Sequence, residues 1–313
     1  MNQLREIAVI GAGAIGAVYA SMLHTAYPGR VRFLADEDRA RRLSQTGVVV
    51  NGVRYDIPAA SPQALERAPD LVIVATKYHH LDDVNDILEA TCREDTIVLS
   101  ILNGIDSEEI IAARLGWERV LYGMALAIDG VRSRNEITVS SSGIIYFGRA
   151  RNDGEDAAVN AVREALTGAG ISVEIPEDML RMLWWKFMIN IGMNQVSAVL
   201  GAPYREMQQN EHARILTDRA MSECVAVAQK EGIDLGEGDI ARWHEVLPTL
   251  APDNKTSMLQ DVEAGRKTEV EMLAGQLIER AHRHGVEVPL NEALFHMLKV
   301  YEARSGASAA APS

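Results

Sequence analysis

Cysteine is scarce: Cys92 and Cys224 are the only two in 313 residues. Two distant thiols exclude a disulfide framework and a thiolate metal site. Long apolar runs are missing as well, so nothing is expected to span a membrane. Positive charge is in deficit, with 31 Lys and Arg against 44 Asp and Glu for a net charge of −13. A nucleic-acid backbone would be repelled by that field, and no dense basic stripe overcomes it. The one basic cluster, "DRARRL" at Asp38–Leu43, lies in a short helix-like segment. The start of the chain enters "IAVIGAGAIG" without the basic, apolar and cleavage-site pattern of a secretory leader, so the expected location is the cytoplasm. No internal repeat and no low-complexity linker interrupts the chain.

What is present divides into two halves. From Glu6 to about Ile175, short β-branched runs such as "RVRFLAD", "DLVIVATK" and "DTIVLSILNG" alternate with helical stretches such as "LDDVNDILEA". That alternation predicts a parallel sheet covered on both faces, an α/β doubly wound, Rossmann-like domain over residues 1–176. The polar strands of "EITVSSSGIIYFG" and the strand "ISVEI" are expected to extend the same sheet. Beyond Pro176 strand signals stop, and amphipathic stretches over Asp178–Leu200, Ala213–Glu231, Ser257–Glu263, Thr268–His284 and Asn291–Arg304 predict an all-α domain over 177–304. Residues 305–313 are expected to be a disordered tail.

"GAGAIG" follows the first strand and opens a helix, the context in which G-x-G-x-x-G carries a mechanism. Gly11 permits the tight turn, Gly13 lets the backbone approach a pyrophosphate, and Gly16 allows close helix–strand packing. Ala12, Ala14 and Ile15 complete the turn, and the helix start aims unpaired N–H groups at the phosphates. Asp36, twenty residues after Gly16, suits the ribose 2′-hydroxyl of NAD(H). Arg39, Arg41 and Arg42 beside it suit the 2′-phosphate of NADP(H), so local charge leaves the cofactor open. Two further strands end in Thr76–Lys77 and Asn103–Gly104, at the carboxyl edge where ligands of open parallel sheets bind.

In the second half Lys186, Asn190 and Asn194 recur every four positions, hence on one helix face, in the otherwise apolar "LWWKFMINIGMN". The face can line an interdomain cleft beside a nicotinamide, the lysine protonating an alkoxide and the amides holding carboxylate and hydroxyl groups. A buried polar seam between helices would give the same pattern. In "NKTSMLQD" a serine at a helix start, Ser257 after Thr256, suits a carboxylate. Glu269, twelve positions later, can pair with Lys186 or hold the cofactor ribose. His79–His80 read as loop or helix-start histidines, His282 and His284 as a cationic helix C-terminus, and no metal is expected. Core packing is the reading for at least one of Trp184 and Trp185.

Five motifs in this order, "GAGAIG", Thr76–Lys77, Asn103–Gly104, Lys186-x3-Asn190-x3-Asn194 and "TSMLQD" followed by Thr268–Glu269, resemble the ketopantoate reductases (2-dehydropantoate 2-reductases) over nearly the whole chain. The resemblance implies NADPH-dependent reduction of 2-dehydropantoate to pantoate on the route to pantothenate and coenzyme A. It implies Lys186 as general acid with Glu269 in the catalytic set, and Asn190, Asn194, Thr256 and Ser257 as substrate contacts. It further implies Lys77, Asn103, the Ala127 backbone and Glu269 at the cofactor, Asn103 also reaching substrate. Two departures stand out. The second strand ends in Ala35–Asp36 where the family often carries an arginine, and Tyr204 stands where it carries a further asparagine. The alternatives are a different branched 2-oxo acid on the same fold, or a non-catalytic redox sensor that binds a dinucleotide. Closure of the two halves over substrate is a further expectation, and the apolar helical half suits a homodimer.

Overall fold

The computed structural model describes residues 4–128, 130–133 and 136–306. It divides into two compact units, Met1–Leu180 and Arg181–Ser313.

The first unit begins with β1 (Ile7–Ile10), α1 (Ala14–Ala26), β2 (Val31–Leu34), α2 (Glu37–Thr46), β3 (Val48–Val50), β4 (Val53–Tyr55) and β5 (Ala59–Ala60). It continues with β6 (Leu71–Val74), α3 (Leu81–Thr91), β7 (Ile97–Ser100), α4 (Ser107–Leu115) and β8 (Val120–Ile128). Then follow β9 (Val131–Ser133), β10 (Glu136–Thr138), β11 (Ser142–Gly148), α5 (Ala157–Gly168) and β12 (Ser172–Glu174). Eight strands form one sheet in the order β12-β11-β8-β7-β6-β1-β2-β5. The run from β8 to β5 is parallel, and β11 joins β8 antiparallel.

The central strands IAVI, LVIV and IVLS are buried at every position. Alternation sends Val9, Ile73 and Leu99 to one face, against Val18 and Leu23 of α1 and Val162 and Leu166 of α5. Ala8, Val72 and Val98 go to the other face, against Val84 and Leu88 of α3 and Ile111 of α4. Each such large aliphatic side chain contributes about 1.5–3 kcal/mol by leaving water. A strand buried on both faces needs no polar positions, which is why these runs read as continuous.

The expected extension of the sheet occurs through β11 and β12 only. "EIT" of β10 instead joins a separate four-stranded sheet, β4-β3-β10-β9. Asn51 fastens that sheet, exchanging two 2.8 Å hydrogen bonds with the backbone of Val139 across 88 residues. Pairings of that separation leave no local trace in a sequence.

The second unit is helical: α6 (Met179–Leu200, whose first two residues lie in the first unit), α7 (Tyr204–Gln209), α8 (Glu211–Lys230), α9 (Glu237–Val246), α10 (Ser257–Glu263), α11 (Gln276–His284) and α12 (Pro289–Ser305). The helix expected from Thr268 starts only at Glu271, with a π-helical turn, Glu271–Gly275, that runs directly into α11. The last helix takes in Ser305, the first residue of the expected tail, and 307–313 lie outside the described residues.

Helix α6 is held against α8 and α12 by buried amides. Gln195 donates to Asn291 at 2.9 Å, and Asn291 donates to Glu223 at 2.7 Å. Between the proposed substrate residues, Gly192 lets α8 close in: a Cβ there would stand 2.6 Å from Met221. Trp184 and Trp185 are both buried, with Arg242 over the Trp185 ring at 5.0 Å, so both pack in the core. Among the described residues no helix is long and apolar enough to cross a membrane.

Candidate active site

The parallel strands end level. Ile10 is in register with Leu34 and Val74, and Val74 with Ser100. The chain therefore leaves β2, β1, β6 and β7 along one edge, at Ala35–Asp36, Gly11, Thr76–Lys77 and Asn103–Gly104. Strand β8 overshoots this edge and carries Ala127 near its end. Thus Asp36, Gly11–Gly16, Lys77, Asn103 and Ala127 follow or end five adjacent strands of one sheet.

The glycine turn is built for close approach. Gly11 has φ +107°, and a Cβ there would lie 2.5 Å from the Ala75 carbonyl oxygen. At Gly16 a Cβ would collide with the Gly11 carbonyl. At Gly13 it would meet nothing within 4 Å, so packing does not account for that glycine. Gly13 opens α1 with no side-chain cap, leaving the helix start to its own N–H groups. Ala127 is one of two described non-glycine residues with positive φ, at +56°. Such strain in a non-glycine residue gathers at ligand sites.

Asp36 is exposed and caps α2, its Oδ1 accepting the Arg39 N–H at 2.9 Å. Arg41 pairs with Glu37 and Asp38 of its own helix, at 3.0 and 3.2 Å. His80, in a 3-10 turn just before α3, is held below the usual imidazole range by burial and then by the Arg39 charge.

Behind the edge lies a polar network that sequence reading missed. The Tyr78 hydroxyl donates to Asp106 at 2.8 Å, tying the turn after β6 to the turn after β7. The Ser100 and Ser107 hydroxyls share a 2.8 Å bond, Ser107 donates to Glu108 at 2.8 Å, and Glu108 accepts the Gly123 N–H at 3.2 Å. Burial pushes the Glu108 carboxyl up to about 7, although Ser107 and backbone N–H groups oppose this. Glu108 lies in "NGIDSEE" directly after Asn103–Gly104, and only its burial separates it from an ordinary acidic helix start.

In the second unit Lys186, Asn190 and Asn194 are each half-buried, while Trp185, Phe187, Met188, Ile191 and Met193 are buried. The stripe is continued by Ser197, whose hydroxyl shares a 2.6 Å bond with that of Thr256. Thr256 is buried and caps α10, accepting the Leu259 N–H at 3.2 Å, and Ser257 follows it exposed. Tyr204 donates its backbone N–H to Asn254 at 3.0 Å, two residues before Thr256. Asn194, Ser197, Thr256, Ser257 and Tyr204 are thereby brought to one region. Ser197 three residues past Asn194 was the available but unused signal. Glu269 is half-buried and follows Thr268, which is buried. His282 and His284 occupy the last turn of α11, near Glu292 and Glu231. Among the described residues no cluster of three or more His, Cys, Asp or Glu could hold a metal ion.

Residues 7–152 match the family described as ketopantoate reductase PanE/ApbA, and residues 178–302 match its C-terminal domain. The chain belongs to the ketopantoate reductase family. Its members are oxidoreductases on a dinucleotide-binding fold. The 2-dehydropantoate 2-reductase of Pyrococcus horikoshii is 27% identical over 307 residues, covering 97% of this chain and 99% of the relative. A D-mandelate dehydrogenase solved with NADH and anilino(oxo)acetate shares the fold at a TM-score of 0.87 and 23% identity, over 96% of this chain and 99% of that one. A dimeric ketopantoate reductase from Staphylococcus aureus does so at 0.79 and 21%, over 96% and 100%.

Proposed function

We propose that this ketopantoate reductase family member reduces 2-dehydropantoate to pantoate with NADPH, in the cytoplasm, on the route to pantothenate and coenzyme A. The observation that carries the reading is the half-buried stripe of Lys186, Asn190 and Asn194, continued through the Ser197–Thr256 bond to Ser257. Gln195 and Asn291 on the same helix bundle are sealed from solvent, whereas Lys186, Asn190 and Asn194 keep part of their surface open to a ligand.

The open position at Gly13 and the uncapped start of α1 fit a pyrophosphate. Lys77, Asn103 and the Ala127 backbone hold the rest of the cofactor, whose bound nicotinamide supplies hydride. Lys186 gives a proton to the substrate carbonyl oxygen and stabilises its developing charge. Asn190 and Asn194 orient the substrate by donating and accepting hydrogen bonds, and Ser257 donates to its carboxylate. The Thr256 hydroxyl is used in the cap and the Ser197 bond, so Thr256 serves through its backbone. Glu269 completes the catalytic set. Arg39 takes the 2′-phosphate, Arg41 being spent on Glu37 and Asp38.

The test follows nicotinamide absorbance with 2-dehydropantoate in parallel NADPH and NADH reactions. Turnover with NADPH, lost by about 10²–10⁴ in Lys186→Ala at unchanged melting temperature, is the expected result. Full turnover in that variant would sink the role of Lys186. A second reading, another 2-oxo acid, is favoured by Tyr204 in place of the family's asparagine. Its phenol is partly buried, which raises its pKa. A panel that includes an aryl-substituted 2-oxo acid decides between them. Asp36 motivates the NADH arm. The helical unit, with an exposed apolar face on α12, is proposed to pair with a second copy.

A further inference from the structure

Glu302 of α12 is 1% exposed. A carboxylate is costly to bury unless hydrogen bonds and opposite charge replace its water. Here one oxygen, Oε1, accepts both the Thr268 N–H at 2.8 Å and the Thr268 hydroxyl at 2.6 Å. The other, Oε2, accepts from the Lys299 ammonium at 2.6 Å. Lys299 also pairs with Glu271. Burial alone would raise the Glu302 pKa, but Lys299 and the two Thr268 bonds outweigh it and hold the carboxyl below its usual range.

These contacts fall on both sides of Glu269. Thr268 precedes it, and its hydroxyl also accepts the Val270 N–H at 3.3 Å. Glu271 opens the π-helical turn. Within that turn the Leu273 N–H bonds the Glu269 carbonyl, and the Gly275 N–H reaches five residues back to Val270, each at 3.0 Å. The π-turn opens the helix that continues as α11, and π-helical turns recur at functional sites. Thr268 is thus fixed by Glu302, 34 positions away, Glu271 by Lys299, 28 away, and Val270 by Thr268 and the turn, with Glu269 between them.

We propose that Glu302 and Lys299 are positioning residues: they clamp Thr268 and Glu271 to α12 and so set the direction in which Glu269 presents its carboxylate. The clamp gives the threonine of the Thr268–Glu269 pair its reason. It needs a backbone N–H and a hydroxyl that meet one carboxylate oxygen. The inference rests on the catalytic reading of Glu269 made above.

The experiment is a double-mutant cycle on the full chain, read as kcat/KM with thermal unfolding alongside. Glu302→Gln is expected to lose about tenfold or more in kcat/KM, and Thr268→Val a smaller factor, both unfolding cooperatively. In a Glu269→Gln background, adding Glu302→Gln is expected to change kcat/KM by less than about twofold. Multiplying losses, or wild-type kcat/KM in Glu302→Gln, would overturn the clamp while leaving Glu269 its role. Wild-type turnover in Glu269→Gln would overturn the reading of Glu269 and the clamp with it. If Glu302→Gln does not fold, Thr268→Val, which keeps the Glu302–Lys299 ion pair, carries the same cycle.

Discussion

At Gly16 a methyl group would collide with the Gly11 carbonyl, whereas at Gly13 it would touch nothing within 4 Å. Two glycines of one hexapeptide therefore answer different demands, and two alanine variants separate them. Gly16→Ala is expected to cost about 1–3 kcal/mol of stability through strain between β1 and α1, read as a lower melting temperature. Gly13→Ala is expected to keep its melting temperature and weaken NADPH binding about tenfold or more, read by titration of nicotinamide fluorescence. Unchanged affinity there would remove Gly13 from the cofactor site. Glu108 makes a prediction about pH. Its carboxyl lies at about 7 in the fold against 4.5 ordinarily, so its contribution to stability is complete below about 4.5. It is lost as pH rises through about 7, because the unfolded chain ionises first. The loss is on the order of 3 kcal/mol. Glu108→Gln keeps the shape and can accept the Gly123 N–H, so its melting temperature should fall less than the wild type's between pH 5 and 8. Parallel curves would show that Glu108 does not titrate in that range.

Helix α2 shows how an element can hold a proposed cofactor residue for a second reason. Asp36 caps it, and cap loss ordinarily costs about 1 kcal/mol. Asparagine caps as well as aspartate but carries no charge. Asp36→Asn should therefore preserve the melting temperature and shift preference from NADH toward NADPH by about tenfold, while Asp36→Ala should lose stability too. Ratios of kcat/KM for the two cofactors check this, and an unmoved ratio in Asp36→Asn would exclude the carboxylate from cofactor choice. Helix α6 is the counterpart in the other unit. Its Gln195–Asn291–Glu223 chain and the close approach at Gly192 fix the helix from behind. The polar stripe thereby gains a rigid carrier.

On the scale of the whole molecule, α12 has an apolar exposed face. Met297, Val300 and Tyr301 are exposed on it, and the Tyr301 hydroxyl reaches the Val199 carbonyl beside exposed Leu200. A contiguous apolar patch on a chain with net charge −13 marks a place for association. Light scattering is expected to give twice the 34.3 kDa chain mass, and Val300→Glu to shift the population toward monomer. A wild type that stays monomeric at micromolar concentration would end that expectation.

The doubly wound sheet and the helical half were legible because burial on two faces or along one stripe writes its period into consecutive residues. The glycine turn, Lys77, Asn103 and the Lys186 stripe were legible for the same reason, each being a local exception to an apolar pattern. The second sheet was not, because β3 and β10 pair across more than eighty residues. Nor were the Glu302 clamp, the Ser197–Thr256 bond or the raised pKa of Glu108. Chemistry that depends on which residues recur together along the chain was determined by the sequence alone. Only the tertiary structure decided which carboxylates are removed from water and what faces them, because desolvation and long-range pairing belong to the packed molecule.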